Sequence, residues 1–325
     1  MNYKPFKPAF GLANKHLQTS YSAFFVKDLQ LEIEIEQFEL DDGDFLECYW
    51  HNKAKKNQKK PIVVLFHGLA GSYKSPYIQG IMQALGREDF SVVLMHFRGC
   101  SGKQNRLPRA YHSGDTYDAK LLLGHLQKSY PDSLLFAVGY SLGGNMLLKM
   151  LGEFGISSPL KAAVSVSAPI QLKVGANQMN RGFSKFYQAY LLEDLKKSLL
   201  EKYKSHDMKS LINIDEDGVE KLKTFQEFDD AYTAPIHGFS SADDYYAKSS
   251  AKQFLNNIQT NTLIIQALDD PFMTPAVLPR EGQYSKNVKI EAHPHGGHVG
   301  FISGTIFKPK FYLEERIVSY FKQFI

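Results

Sequence analysis

The chain has 325 residues, and 43% of them are hydrophobic, which is enough to bury the core of a large α/β domain without disulfide bonds. The formal net charge of +4 is slight, so the composition argues against a dedicated nucleic-acid-binding protein. The sequence contains no low-complexity tract and no internal repeat, which excludes a linker-rich or repeat architecture.

The start of the chain and the cysteines bear on the compartment. Residues 1–6 lack the basic and then apolar pattern of a signal peptide, and no stretch reaches the roughly 18 apolar residues that a membrane span requires. Cys48 and Cys100 lie far apart, without the spacing of a metal site, and are expected to be packing residues. We therefore expect a cytoplasmic protein with no integral membrane span.

Residues 31–50 predict an antiparallel hairpin at one edge of a sheet. Residues 31–36 alternate apolar and acidic side chains, as a half-exposed strand does, and residues 41–44 supply a turn before the second strand at 45–50. The run that follows, residues 53–60, holds five lysines. We interpret it as a solvated turn, with attraction to an anionic membrane surface as the alternative.

Beyond the hairpin, short apolar runs alternate with helical stretches. The predicted strands are residues 61–66, 91–95, 134–138, 162–166, 263–267 and 288–292. This alternation predicts an α/β fold with a mostly parallel sheet of about eight strands and helices on both faces. The alternation breaks between about residues 169 and 260, where we predict a helical lid inserted after the sixth strand of a single domain spanning residues 1–325.

The pentapeptide GYSLG, residues 139–143, joins a predicted buried strand to a stretch of good helix formers at 145–151. A serine between glycines on such a sharp turn is a nucleophile elbow, which lifts the hydroxyl of Ser141 toward a substrate. A glycine-rich turn with an incidental serine is the alternative. The elbow predicts an α/β-hydrolase fold.

Acyl transfer by a serine also requires hydrogen-bond donors for the developing oxyanion. In this fold one donor is the backbone N–H after the nucleophile, here Leu142, and the other lies in the loop after the third strand, here Leu69. Gly68 and Gly71 in that loop allow the backbone to approach a ligand closely. A plain glycine-containing turn remains the alternative for this loop.

The serine further requires a base and a group that orients the base. The predicted strand at 263–267 is followed by Asp269 and Asp270, and the strand at 288–292 runs into a glycine-rich loop with three histidines. The order Ser, Asp, His along the chain is that of α/β-hydrolases. We predict His298 as the general base and Asp270 as its orienting carboxylate, with Asp269 as the alternative.

Other polar side chains near these segments are given structural roles. His293 and His295 would be metal ligands only together with an aspartate, and a single cluster without a second ligand pair favours packing in the loop. We predict no metal and no cofactor. Five further polar residues are assigned to a structural network around the site, with the last two able to close the mouth of the pocket instead: Arg98, His112, Asp115, His16 and Gln18.

Nine short segments, spread over almost the whole chain, form a pattern more specific than any one motif. They are residues 14–19, 67–72, 75–78, 98–102, 111–115, 139–145, 233–239, 269–272 and 296–301. The pattern resembles the YheT-like family of α/β-hydrolases, which is related to the abhydrolase-domain esterases and lipases. The resemblance implies Ser141, Asp270 and His298 as a catalytic triad and hydrolysis of short- to medium-chain esters.

The sequence therefore predicts a serine hydrolase that cleaves a small carboxylic ester through an acyl-enzyme. Aromatic residues of the lid, such as Phe183, Phe186 and Tyr187, would suit an apolar acyl group or form the core of the lid itself. A thioesterase, a lysophospholipase or an acyltransferase would use the same triad. A non-catalytic binding protein on the same fold is the alternative from another class.

Overall fold

The computed structural model describes residues 5–26, 28–55 and 58–325. Residues 1–4, which the signal-peptide prediction includes, and Lys56 and Asn57 of the lysine-rich run lie outside the described residues. Within the described ranges, no helix combines the length and the apolar character needed to cross a lipid bilayer.

The strands of the described residues are β1 (Glu34–Glu39), β2 (Phe45–His51), β3 (Ile62–Phe66), β4 (Ser91–Met95), β5 (Leu135–Tyr140), β6 (Leu160–Val166), β7 (Asn261–Ala267), β8 (Val288–His293), β9 (Ile302–Gly304) and β10 (Pro309–Phe311). The first eight form one sheet in the order β1-β2-β4-β3-β5-β6-β7-β8, and β9 pairs with β10. β1 and β2 pair antiparallel at one edge, and β3 to β8 pair in parallel. The predicted mostly parallel sheet of about eight strands is confirmed.

The helices of the described residues are α1 (Lys15–Phe25), α2 (Pro76–Arg87), α3 (Tyr117–Ser129), α4 (Leu142–Phe154), α5 (Leu172–Met179), α6 (Ser184–Tyr203), α7 (Met208–Ile212), α8 (Glu216–Glu220), α9 (Phe225–Phe228), α10 (Ala234–Ile236), α11 (Ala242–Ser249) and α12 (Tyr312–Phe321). Helices cover both faces of the sheet because successive side chains of a buried strand point to opposite faces. In β3, Val64 and Phe66 join an apolar cluster that includes residues of α3 and α4. Val63 and Leu65 join a second cluster with residues of α2 and α12.

The bounds of β3 to β8 lie within two residues of the six strands predicted from apolar runs. The prediction for β1 is wrong at its start, because the alternating pattern begins at Leu31 whereas the strand begins at Glu34. Glu34 pairs with Trp50, and β2 ends one residue later at His51. The next residue, Asn52, has a positive φ of 55°, so the partner strand turns away and the ladder stops.

Between β6 and β7 the chain forms a helical segment that we call the cap and define as residues 172–249, which contain α5 to α11. The cap has an apolar cluster of its own, made of Leu192, Leu199, Met208, Ile212, Val219, Phe228 and Tyr232. Ala251 and Leu255, which lie within the predicted insertion of residues 169–260, join the main apolar core.

The parallel strands position the predicted site residues. Ser141 directly follows β5, Asp270 follows β7 by three residues, and His298 lies in the loop after β8. The carboxyl ends of parallel strands meet at one edge of the sheet, where open α/β sheets place their ligands. The three side chains therefore lie at the same edge although they are far apart in the sequence.

Candidate active site

The turn at Ser141 is sharp and depends on Gly143. Ser141 has φ 49° and ψ −118°, a conformation that is unfavourable for a residue with a side chain. A Cβ atom on Gly143 would lie 2.5 Å from the carbonyl oxygen of His67 and 2.6 Å from that of Phe66. The first turn of α4 thus packs directly against the end of β3, and only glycine fits at residue 143.

Ser141, His298 and Asp270 form one hydrogen-bonded chain. The hydroxyl of Ser141 lies 2.9 Å from Nε2 of His298, and Nδ1 of His298 lies 2.9 Å from Oδ2 of Asp270. The second carboxylate oxygen, Oδ1, accepts a hydrogen bond from the N–H of Phe272 at 2.8 Å. Asp270 is 3% exposed, so its carboxylate is held by these partners in a water-poor setting.

Several groups that the sequence did not identify hold the His298 loop. The N–H of His298 donates to Oγ1 of Thr19 on α1 at 2.9 Å, and the N–H of Val299 donates to Oγ of Ser167 at 3.1 Å. The ring of Phe272 stacks on the imidazole of His298 with a centroid distance of 3.9 Å and an interplanar angle of 9°. Phe272 directly follows the Asp-Asp-Pro motif in the sequence. Its place beside Asp270 is the sequence signal that could have identified this contact.

The structure brings Asp270, and not Asp269, to His298. Asp269 instead accepts a hydrogen bond from the N–H of Gly297 at 3.0 Å, and its other oxygen lies 3.3 Å from Nδ1 of His295. The ring of His293 lies elsewhere, with Nε2 at 3.3 Å from the hydroxyl of Tyr312. His293 and His295 therefore have separate partners and do not converge on one point.

The two predicted oxyanion donors border the same cavity as Ser141. Leu142 is the first residue of α4, where the backbone N–H has no partner within the helix. In the other loop, the N–H of Gly68 donates to the hydroxyl of Tyr77 and that of Ala70 donates to the hydroxyl of Tyr111, both at 2.9 Å. Between them, the N–H of Leu69 makes no hydrogen bond within the described part of the chain and is free for a ligand.

A buried histidine fixes the start of this loop. His67 is fully buried, and burial together with the nearby His96 lowers the pKa of His67 to about 3. The ring is therefore neutral at physiological pH, so Nδ1 can donate to the carbonyl oxygen of Gly68 at 2.7 Å while Nε2 accepts from the N–H of Phe97 at 3.1 Å. The direction of these two bonds fixes one tautomer and with it the path of the loop.

The cavity beneath the cap has a volume of about 130 Å³ and reaches the hydroxyl of Ser141 and the ring of His298. Its lining comes from both the sheet edge and the cap and is mostly apolar. The apolar members from the cap are Leu172, Ala176, Met179, Leu191, Leu195 and Phe225. Such a lining favours an apolar substrate group next to the serine.

A second histidine–aspartate cluster lies between the core and the cap. Ligand atoms of His112, Asp115 and His237 lie within 4.8 Å of one another, and within residues 5–26, 28–55 and 58–325 no other three such groups are placed to hold a metal. The guanidinium of Arg109 bonds to Asp115 at 2.5 Å, and the N–H of Gly114 donates to Nδ1 of His112 at 3.1 Å. These two hydrogen bonds already occupy part of the capacity of Asp115 and His112 to bind a metal ion.

Arg98 belongs to a different network from this cluster. Its guanidinium makes two hydrogen bonds of 2.7 Å to Asp118 and one of 3.0 Å to Asp44. Lys202 of the cap is 1% exposed, and its ammonium donates to Oδ1 of Asn105 at 2.7 Å. Asn105 in turn donates to Asp44 at 2.6 Å, so the cap is tied to the buried charges of the core.

The remaining polar predictions fall outside the cavity. The side chain of Gln18 donates to the carbonyl oxygens of Leu12 and Ile302, which is a structural role. His16 lies 3.2 Å from the hydroxyl of Tyr187 and so joins α1 to the cap. In the lysine-rich run, Lys53 pairs with Glu34 and Glu36, and Lys60 pairs with Asp89; these pairs compensate part of its charge.

The chain is similar to known proteins over nearly its full length. A family model described as the α/β-hydrolase fold matches residues 61–305. The Escherichia coli (strain K12) protein YheT, provisionally named an esterase, is 42% identical over 320 residues, which cover 98% of this chain and 94% of YheT. Phospholipase ABHD3 of Homo sapiens is 28% identical over 292 residues, which cover 89% of this chain and 68% of that protein.

Solved structures show the same fold. The esterase Pf2001 of Pyrococcus furiosus matches with a TM-score of 0.57 at 16% sequence identity. The match covers 90% of this chain and 93% of that one. At this level of identity the likeness concerns the arrangement of the sheet and helices.

Proposed function

The chain belongs to the α/β-hydrolases and, within them, to the family of YheT, and on this premise we propose that it is a serine carboxylesterase. Ser141 is the proposed nucleophile, His298 the general base and Asp270 the group that orients the base. The chain is proposed to be one domain, residues 1–325, in which the insertion at about 169–260 serves as a lid.

One observation carries the proposal. The hydroxyl of Ser141 and the carboxylate of Asp270 lie 2.9 Å from opposite nitrogens of the same imidazole. This is the geometry that lets the histidine accept the proton of Ser141 while the aspartate stabilises the imidazolium that forms. The serine also borders a mostly apolar cavity, where an acyl group can be held against it.

The proposed reaction has two halves. Oγ of Ser141 attacks the carbonyl carbon of the ester while its proton moves to Nε2 of His298. His298 then donates that proton to the departing alcohol oxygen, and the acyl group remains on Ser141. In the second half a water molecule gives its proton to His298 and attacks the acyl-enzyme, which releases the acid and restores the serine hydroxyl.

The backbone N–H groups of Leu69 and Leu142 are the proposed donors to the oxyanion in both halves. Their value lies in being fixed before the reaction, since the hydroxyls of Tyr77 and Tyr111 hold the amides on either side of Leu69. One such donor typically lowers the barrier by about 3–4 kcal/mol. Tyr77 and Tyr111 are thus proposed as positioning residues for the oxyanion loop.

The names of the relatives support ester hydrolysis and leave a choice of leaving group. YheT is provisionally named an esterase, ABHD3 a phospholipase and a Saccharomyces cerevisiae relative a monoacylglycerol lipase. All three names refer to enzymes that hydrolyse esters. A small ester with an apolar acyl group is the proposed substrate, because the cavity next to Ser141 is mostly apolar and its volume is only about 130 Å³.

The proposal is tested with p-nitrophenyl esters graded by acyl length, alongside acyl-CoA and lysophospholipid. We expect the esters to be turned over best, and we expect Ser141→Ala to lower kcat by about 10⁵- to 10⁶-fold. A fluorophosphonate probe should label the wild type at Ser141 and leave the variant unlabelled. Unchanged turnover in Ser141→Ala, or a wild type that the probe does not modify, would refute the assignment.

A further inference from the structure

One ionisable residue in the wall of the cavity has no part in the proposed catalytic chemistry. Asp229 borders the same cavity as Ser141 and His298, and it comes from the cap, at the start of a π-helical turn that spans Asp229–Thr233. Turns of this kind are rare and occur frequently at functional sites. A carboxylate in a cavity otherwise lined mostly by apolar side chains requires an explanation.

The partners of Asp229 do not use its full capacity to accept hydrogen bonds. The hydroxyl of Tyr246 donates to Oδ2 of Asp229 at 2.7 Å, and the hydroxyl of Thr233 supplies a second hydrogen bond. An ionised carboxylate offers about four acceptor positions, so two remain. In the described part of the chain, Asp229 forms no ion pair with a lysine, arginine or histidine, although its side chain borders the cavity.

The neighbouring Asp230 has a different role. Oδ1 of Asp230 accepts a hydrogen bond from the N–H of Ala242 at 2.6 Å, which holds the start of α11, and Asp230 does not border the cavity. The two adjacent carboxylates therefore differ in their surroundings: Asp230 supports the cap, and Asp229 faces the cavity. Asp230 provides a matched control for Asp229.

Burial of a carboxylate without a cationic partner is unfavourable. This cost determines which substrate group would best complement Asp229. Burial raises the pKa of Asp229 to about 6, while the hydrogen bonds from Tyr246 and Thr233 oppose the rise, so the group is mostly ionised at neutral pH. A donor on the substrate would offset part of the cost of burial. A hydroxyl is a better match than an ammonium, because desolvating a second ion in so small a space costs far more than desolvating a hydroxyl.

We propose that Asp229 is a specificity-determining residue that accepts a hydrogen bond from a hydroxyl group of the ester substrate. The inference rests on the proposed ester hydrolysis and names the substrate class, which is an ester carrying a hydroxyl in the part that fills the cavity. The apolar lining binds the hydrocarbon portion of the substrate. Asp229 accepts a hydrogen bond from the hydroxyl that this portion carries. Among esters of the same length, the wall of the cavity thus favours the one that carries a hydroxyl.

The test compares pairs of esters that differ by one hydroxyl. One pair places it on the acyl end, p-nitrophenyl hexanoate against 6-hydroxyhexanoate, and one on the alcohol end, butyl against 4-hydroxybutyl butyrate. For the wild type we expect kcat/KM to favour the hydroxylated member of at least one pair by about 10- to 100-fold, the range of a hydrogen bond to a charged group. In Asp229→Leu that ratio should fall close to one, whereas Asp230→Asn should keep it.

Because each ratio is measured within one preparation, a loss of folded protein cancels from it. Turnover of plain esters that depends on Ser141, with a ratio near one in the wild type, would overturn this inference and leave the proposed function standing. A ratio that survives in Asp229→Leu, or a wild-type preference for the matching 6-ammonium ester over the hydroxyl ester, would also overturn it. Absence of turnover for every ester would overturn the proposed function and the inference with it.

Discussion

The sheet edge and the cap contribute differently to the candidate site. Ser141, Asp270 and His298 all follow strands of the sheet, and none of them comes from the cap. The cap instead supplies much of the cavity wall, including Leu191, Leu195 and Asp229. The reacting groups and the groups that contact the rest of the substrate therefore lie on separate parts of the fold.

The two regions also differ in how they are held. Every residue of β3 and β4 is fully buried, and the elbow packs against β3 at backbone contact distance. The cap has its own small apolar cluster, and its contacts with the core include polar ones, such as those of Lys202 with Asn105 and of His16 with Tyr187. The difference implies that a change at the sheet edge affects every substrate alike, whereas a change in the cap affects the choice among substrates.

The largest effect that would test this division is expected from two adjacent aspartates at the sheet edge. Asp270→Asn should lower kcat by about 10⁴-fold for all esters, because an amide cannot stabilise the imidazolium of His298 and favours the wrong tautomer. Asp269→Asn should change kcat only a few-fold, since an amide oxygen can still accept from the N–H of Gly297. Steady-state kinetics on both variants decide the matter, and equal losses would contradict the distinct roles of the two aspartates.

A smaller effect is expected when the backbone contact beneath the elbow is disturbed. In Gly143→Ala the new methyl group would meet the carbonyl oxygens of His67 and Phe66, so we expect the free energy of unfolding to fall by about 1–3 kcal/mol. The matched control is Gly124→Ala on α3, where the methyl group would meet no atom within 4 Å and should stabilise the helix by about 0.5–1 kcal/mol. Urea unfolding measures the free energy of unfolding of both variants. Changes of the same sign would contradict the close contact of residue 143 with the end of β3.

The same two regions differ in how much the sequence predicted. The strands from β3 to β8 were predicted to within two residues because a strand that is buried on both faces is a continuous apolar run. The residues of the hydrogen-bonded chain were predicted because the fold imposes the order Ser, Asp, His. The choice between Asp269 and Asp270 depended on which carboxylate faces His298, and adjacent residues in a loop give no sign of this.

What the sequence did not predict depends on contacts between distant segments. Thr19 accepts from the N–H of His298 across 279 residues, and no local pattern marks it as part of the site. Asp229 resembles any other acid in a charged segment until the fold of the cap turns it toward the cavity. The cap helices were predicted only as a group, because they are short and their apolar residues pack against one another and not against a long sheet.

The smallest expected effect concerns the seam between the two regions, where His112 of the core and His237 of the cap pack edge to face at 4.6 Å. The pKa of each ring is lowered to about 3, mainly by burial; the charge of Arg109 contributes at both rings, and Asp115 opposes the shift at His237. The folded state therefore excludes protons that the unfolded state takes up below about pH 6.5. Stability from these two rings is complete above that pH and is lost as the pH falls toward 3.

Each excluded proton steepens the loss by about 1.4 kcal/mol per pH unit. His237→Phe should remove one such proton while keeping an aromatic ring against His112, so the free energy of unfolding should fall less steeply between pH 6 and pH 4 than in the wild type. His125→Phe, on the exposed side of α3, should leave the slope as it is. Urea unfolding at several pH values measures the slopes, and a His237→Phe slope equal to that of the wild type would contradict the exclusion of a proton from His237 in the folded state.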